Sequence, residues 1–295
     1  MTNYLFGVSN GTRLSEEVLS SESVEVIEVK RSDAEKIRDL AQYKKPILFH
    51  LQYDPDGNFL NPCSPHFQQS VQGWLDEIVD SVKEASSEEL PYISIHFGWS
   101  CSHFKTNPKT FRATHDTDAP GFENYNKFED MLTRFRDNAA FLRDRYNIPL
   151  ICENLEFHPT CVYNYVTEPH SITRATNHDS IGGFLFDAAH ALVAAHNLYE
   201  PPLLEHNDAV LKTYLHRLPL DKILEIHVSG VGKTDEGFFT DSHNELEETS
   251  KELALLNLVV PRIGAETIPV ILEYDRQPAQ ILAQLELVRK AFEKP

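Results

Sequence analysis

Short apolar runs recur along the whole chain, separated by stretches that carry the period of an amphipathic helix. The runs fall at 4–8 (YLFGV), 24–29 (VEVIEV), 46–50 (PILFH), 92–97 (YISIHF), 149–155 (PLICENL), 183–187 (GFLFD), 223–228 (ILEIHV) and 269–275 (PVILEYD). They are rich in Ile, Val, Leu, Phe and Tyr and too short for buried helices, as expected of buried strands. Between them, 67–85 places Val71, Trp74, Leu75, Ile78 and Val82 on one helical face, and 125–146 does the same with Phe128, Met131, Leu132, Phe135, Ala139 and Leu142. Further helices are predicted at 250–263 and 278–292. Strand and helix alternating through eight strands predict an α/β fold, a parallel sheet closed into a (β/α)8 TIM barrel. An open doubly wound sheet alternates too, but no GxGxxG or GxxxxGK[ST] follows any strand. No linker or composition shift interrupts the pattern, so residues 1–295 are expected to form a single domain.

Composition narrows the partners. Over 295 residues, 41% hydrophobic and 24% charged content is ordinary for a globular protein and excludes disorder, collagen and a disulfide scaffold. Against 45 Asp and Glu stand 27 Lys and Arg, a net charge of −18 that repels nucleic acid and anionic membranes. Cys63, Cys101, Cys152 and Cys161 form no CxxC pair, so neither a disulfide framework nor a zinc knuckle is expected, and a reducing cytoplasm is. The first residues lack a signal peptide's basic and apolar regions, and no run approaches the roughly 20 apolar residues of a spanning helix. A cytoplasmic protein without membrane or nucleic-acid partners is the expectation. The helix pattern shows no interface stripe from which to read an oligomeric state.

Nearly every predicted strand ends in a side chain able to bind a metal. His50 ends the third strand and His96 comes late in the fourth. Glu153 and Asn154 close the fifth. Asp187 ends the sixth, with His190 three residues beyond. His227 is late in the seventh, Asp241 and His243 lie in the loop after it, and Glu273 is late in the eighth. In a TIM barrel these ends meet at one mouth, where chemistry is placed. Glu153, Asp187 and Glu273 sit in apolar strands, where an unpaired charge costs several kcal/mol. Carboxylates gathered there need cations, and the strand ends offer almost no Lys or Arg. Facing imidazoles instead, they have the composition of a metal cluster. The remaining histidines, His66, His103, His115, His158, His170, His178, His206 and His216, have no acid at ligand spacing and are expected to be mostly solvated. His196 lies off the helical face of His190 and is not expected to bind metal. Strand alternation turns Cys152 away from the axis, as a core thiol.

The motifs ICENLEF (151–157), LFDAAHALVAAHN (185–197), EIHVSG (225–230), TDSHNE (240–245) and LEYD (272–275) resemble, in order, those of the DUF692 family, the multinuclear non-haem iron-dependent oxidative enzymes. These belong to the xylose-isomerase-like TIM barrels, beside endonuclease IV, and the resemblance covers roughly residues 45–280. It implies three metals. His50 and His96 would bind the first, and Glu153 would bridge it to a second held also by Asp187, His227 and Glu273. A third would take His190, Asp241 and His243. It further implies iron, two or three ions, with O2 as cosubstrate and a peptide substrate whose residue, often cysteine, is oxidatively remodelled, usually with the help of a partner protein. Zinc or manganese are the alternative metals. The chain departs from the family's pattern at NGTR (10–13), at VEVIEV running into KRSDAEK without an E-N pair, and at LQYDPDGNFLNP after His50.

Other functions share such a mouth. A zinc-dependent endonuclease IV-like phosphodiesterase uses nearly the same ligands, but −18 is a poor charge for a DNA clamp. A divalent-metal sugar isomerase needs fewer histidines, and a metal-storing barrel needs no turnover. The iron-dependent oxidoreductase acting on a peptide leads these readings.

Overall fold

The structure is a computed structural model that describes residues 2–293 except 10–12, 31–32, 107–112, 126, 160–161, 163–164, 200–207, 266 and 275–276. Most of the NGTR segment, Cys161, His206 and Asp275 therefore lie outside the described residues. The strands, in chain order, are β1 (Asn3–Val8), β2 (Val26–Val29), β3 (Ile47–Leu51), β4 (Ile93–His96), β5 (Phe104–Thr106), β6 (Ala113–His115), β7 (Leu150–Glu153), β8 (Ile181–Asp187), β9 (Ile223–Val228), β10 (Gly230–Lys233), β11 (Phe239–Asn244) and β12 (Thr267–Leu272). Eight of them close into a barrel in the order β1-β12-β9-β8-β7-β4-β3-β2, with all eight pairings between neighbours parallel. Each predicted strand is there, with ends moved by a few residues. Two antiparallel hairpins, β5–β6 and β10–β11, are inserted after the fourth and seventh barrel strands.

The two-residue period of a strand builds the interior in layers. Val26, Leu48, Tyr92, Ile151, Leu185 and Ile271 pack together as an apolar floor inside the barrel. Two residues further along their strands, on the same inward face, stand Glu28, His50, Glu153, Asp187 and Glu273. That is a rise of about 6–7 Å toward the C-terminal mouth. Outward positions pack against the helices in the main core, where Cys152 is found.

The predicted helix at 67–85 is two helices, Phe67–Val71 and Leu75–Ala85. Gly73 between them has φ 92°, a left-handed conformation glycine adopts without steric cost. The Trp74 indole then donates back to the Ser70 carbonyl at 2.7 Å, while Val71, Leu75, Ile78 and Val82 stay buried. The helix at 125–146 begins at Phe128 and ends at Asn147, left-handed at φ 52°. Pro261 has no amide to donate, and the helix Lys251–Val259 passes into a 3-10 turn, Val260–Arg262. Among the described residues no helix is long and apolar enough to cross a membrane.

Candidate metal centre

All nine predicted residues reach one place. Cross-strand register sets His96 beside Glu153 and Asp187 beside His227. Glu153 lies at the centre. Its Oε2 is 3.0 Å from His96 Nε2 and 3.3 Å from His50 Nε2, and its Oε1 is 3.3 Å from His190 Nδ1 and 3.7 Å from His227 Nδ1. From His227 the contacts run to Glu273 (2.8 Å), from Glu273 to His243 (3.3 Å), from His243 to Asp241 (3.0 Å) and back to His190 (3.4 Å). Asp187 accepts from the His190 backbone N–H at 2.6 Å. Asp241 and His243 come from the strand β11, not from a plain loop; the pairing with β10 is bulged here and His243 is left-handed at φ 46°.

Neighbours hold these side chains in place. The Asn154 amide brackets the end of β8, donating to the Asp187 carbonyl and accepting from its N–H, both at 2.9 Å. His190 Nδ1 lies 2.8 Å from the Asn154 carbonyl, which only accepts, so Nδ1 donates there and Nε2 faces Asp241. His50 Nδ1 is similarly engaged by the Ser94 hydroxyl at 2.9 Å, leaving Nε2 toward Glu153.

Sequence reasoning missed four residues here. Glu28 and Lys30, on one face of VEVIEVK, point inward: Lys30 pairs with Glu273 and lies 3.9 Å from Glu28. The expectation that the strand ends supply almost no basic residue is thus corrected by one buried lysine, at the very segment that departs from the family pattern. Glu225 lies two positions before His227, 3.4 Å from its Nε2, and Glu156 accepts from the Asp241 N–H at 2.9 Å. The usable signal was parity, since Glu225 shares the inward face of His227 and Glu28 that of Val26. One expectation for the other histidines also changes: His158 is buried, with its ring 4.9 Å from Phe238. His196 is buried and stacked on Phe239 at 5.0 Å.

One lysine does not balance this many acids. Burial pushes the Glu153 carboxyl up, but His96, His50 and His190 outweigh it and hold Glu153 well below the usual carboxylate range. Against the same burial, Lys30 and His227 do this for Glu273, and His243 and His190 for Asp241. Burial lowers the imidazoles of His190, His227 and His243, yet the surrounding carboxylates raise all three well above an ordinary histidine. Asp187, Glu225 and Glu156 are pushed up to about 7, each chiefly by burial.

The donors fit metal ions. Buried Glu28 Oε2, His50 Nε2, Glu153 Oε2, Asp187 Oδ2, both Glu225 oxygens and both His227 nitrogens have no well-aligned hydrogen bond. Four triplets, His50–His96–Glu153, Glu153–Asp187–His190, Asp187–His227–Glu273 and Glu28–Glu225–His227, each bring their donor atoms within 4.8 Å of one another. Imidazole and carboxylate without thiolate suit iron, zinc or manganese.

The barrel has the fold of the xylose-isomerase-like TIM barrels. A D-tagatose 3-epimerase-like protein superposes with TM-score 0.64 at 14% identity, covering 98% of this chain and 97% of its own. Endonuclease IV from Thermus thermophilus gives 0.58 at 14% identity, covering 99% and 100%. A xylose isomerase domain protein from Alicyclobacillus acidocaldarius subsp. acidocaldarius gives 0.55 at 15%, covering 100% and 97%. At such identities the likeness is one of fold. No curated protein matches the chain. The model of the family described as RiPP precursor modification enzyme MbnB/TglH/ChrH matches residues 115–292, more than half the sequence, and the chain belongs to that family. Seven of the nine mouth residues lie inside the match; His50 and His96 precede it.

Proposed function

We propose that the protein is an iron-dependent oxidative enzyme that uses O2 to modify a residue, cysteine foremost, of a ribosomally made precursor peptide. The observation that carries this reading is Glu153, a buried carboxylate within 4 Å of four imidazoles at the mouth of a barrel whose family modifies such peptides. His50 and His96 would hold one ion with Glu153, and Asp187, His227 and Glu273 a second with the same carboxylate. His190, Asp241 and His243 would hold a third. Bound iron supplies electrons for O2 and the Lewis acidity that makes a thiol a thiolate.

The rest falls to the chain. Tyr53, Phe59, Trp99 and Phe104 pack ring against ring in succession into an aromatic wall, Trp99 stacked on Phe104. Trp99 lies 6.2 Å from the His96 ring, and Phe59 is left exposed where a peptide arrives. Tyr53 and Phe59 of this wall come from the loop that departs from the family pattern, which makes that loop the natural determinant of peptide choice. Glu156, half-buried beside Asp241 and raised to about 7, is placed to exchange a proton near neutrality. A separate partner protein that presents the peptide belongs to the same reading, as does a cytoplasmic location.

The test is anaerobic purification with elemental analysis and Mössbauer spectroscopy, followed by co-expression with a cysteine-bearing precursor peptide encoded nearby and measurement of its intact mass. Two or three irons per chain and an O2-dependent mass change support the reading. Stoichiometric zinc with no iron, and a peptide of unchanged mass, would turn it toward the endonuclease IV-like alternative.

Metal uptake is also expected to release protons. In the metal-free protein His190, His227 and His243 are raised above an ordinary histidine and so carry protons at pH 7, and Asp187 is partly protonated; a ligand must lose its proton to bind. Affinity therefore climbs with pH, through about 7 where Asp187 loses its proton and on above the ordinary histidine range, where the three imidazoles lose theirs. Calorimetry in two buffers of different ionisation enthalpy reads the release directly, and a buffer-independent heat would contradict it.

A further inference from the structure

His227 stands between two carboxylate pairs. Its Nδ1 is 2.8 Å from Glu273 and 3.7 Å from Glu153, toward the centre of the cluster. Its Nε2 is 2.9 Å from Glu28 Oε2 and 3.4 Å from Glu225, toward the floor. A neutral imidazole has one lone pair and one N–H, so it serves a cation on one side and an acceptor on the other.

We infer that Glu28 is a positioning residue, which takes the Nε2–H of His227 and so fixes the ring with its Nδ1 lone pair toward the metals; this rests on the reading of His227 as a ligand. Glu28 is itself held. Its other oxygen accepts from the Ser9 hydroxyl at 2.7 Å and lies 3.9 Å from the Lys30 ammonium, which also pairs with Glu273. Ser9 follows β1, Glu28 belongs to β2, Lys30 follows it and Glu273 follows β12, so three neighbouring strands of the barrel clamp one imidazole. At 2.9 Å the His227–Glu28 contact is at hydrogen-bonding distance with its N–H off the line, as such bonds often are before the site is loaded. Outer carboxylates of this kind orient a ligating histidine and raise its basicity.

The triplet Glu28–Glu225–His227 is close enough to hold a cation of its own. That arrangement would need the His227 lone pair on Nε2, taking it from the side where Glu153, Asp187 and Glu273 converge. It would also set a metal on a carboxylate whose second oxygen is already shared by Ser9 and Lys30. The orienting role uses the Ser9 and Lys30 contacts of Glu28 without conflict, and Glu28 is the nearer of the two carboxylates at Nε2.

Cobalt(II) titration of the metal-free protein tests this, read by visible absorption and by the shifted, exchangeable N–H proton signals of cobalt-bound imidazoles. Glu28→Ala is expected to weaken one cobalt site by roughly 10–100-fold and to remove one such proton signal, with full occupancy regained at high cobalt. Glu28→Gln, which keeps an acceptor oxygen, should restore the signal and most of the affinity, and it serves if the alanine variant folds poorly. Wild-type affinity with every signal intact in Glu28→Ala would overturn the inference. So would a cobalt ion lost at any concentration, which would make Glu28 a ligand. His227→Ala is the control: if it leaves cobalt binding unchanged, the ligand reading itself has failed, whereas a loss there beside an unaffected Glu28→Ala condemns the orienting role alone.

Discussion

Replacing Glu153 by glutamine is expected to remove more than one metal ion per chain, the largest effect of any single change at the mouth. Both its oxygens are committed, Oε2 to His50 and His96, Oε1 to His190 and His227. An amide keeps the shape but turns one oxygen into an N–H donor and removes the charge that draws cations between these rings. In the proposed arrangement two metal sets share this carboxylate, so both would lose a ligand together. Elemental analysis of the variant beside the wild-type protein, prepared identically, measures the loss. A deficit of one ion would show that Glu153 serves a single site, and an unchanged content would remove it from the ligands altogether.

The second large effect concerns stability without metal. Lys30 is buried and is the basic side chain paired with Glu273. Its ammonium is held well protonated: burial lowers it, but Glu273, Glu28 and Glu153 more than compensate. Removing one partner of a buried pair leaves the other charge uncompensated, at a cost of about 3–5 kcal/mol. Lys30→Met should therefore lower the unfolding free energy of the chelated protein by about that much in urea titrations. Added divalent metal should recover much of it, because the ions take over the neutralising role and no longer meet a fixed ammonium beside them. An equal loss with and without metal would mean that Lys30 contributes through packing of its stem.

Lys30 also shows why the charge balance of the mouth was misread. The sequence shows a lysine one residue beyond an apolar strand, which on most proteins is a solvated end. Its burial follows from the inward parity it shares with Val26 and Glu28, and from the approach of Glu273 across more than two hundred residues. Glu225 escaped notice for a related reason. Inside ILEIHV it reads as the polar member of an alternating strand, and only closure of the barrel decides that this face points inward.

The hairpin β10–β11 was read as loop because its strands are short and polar, and a pairing of Gly230–Lys233 with Phe239–Asn244 has no apolar alternation to betray it. The break at Gly73 was invisible to helical periodicity, since the apolar face stays in phase on both sides of it.

The amino-acid order alone determined the eight strands and the nine side chains that end at one rim. Those depend on local periodicity, and a parallel barrel can bury such runs in few ways. Folding in three dimensions decided which ring nitrogen faces which carboxylate, that Glu28, Lys30 and Glu225 enter the same interior, and that Glu153 stands at its centre. Those relations join residues far apart in the chain, and their energies arise only when closure of the sheet takes the charges out of water.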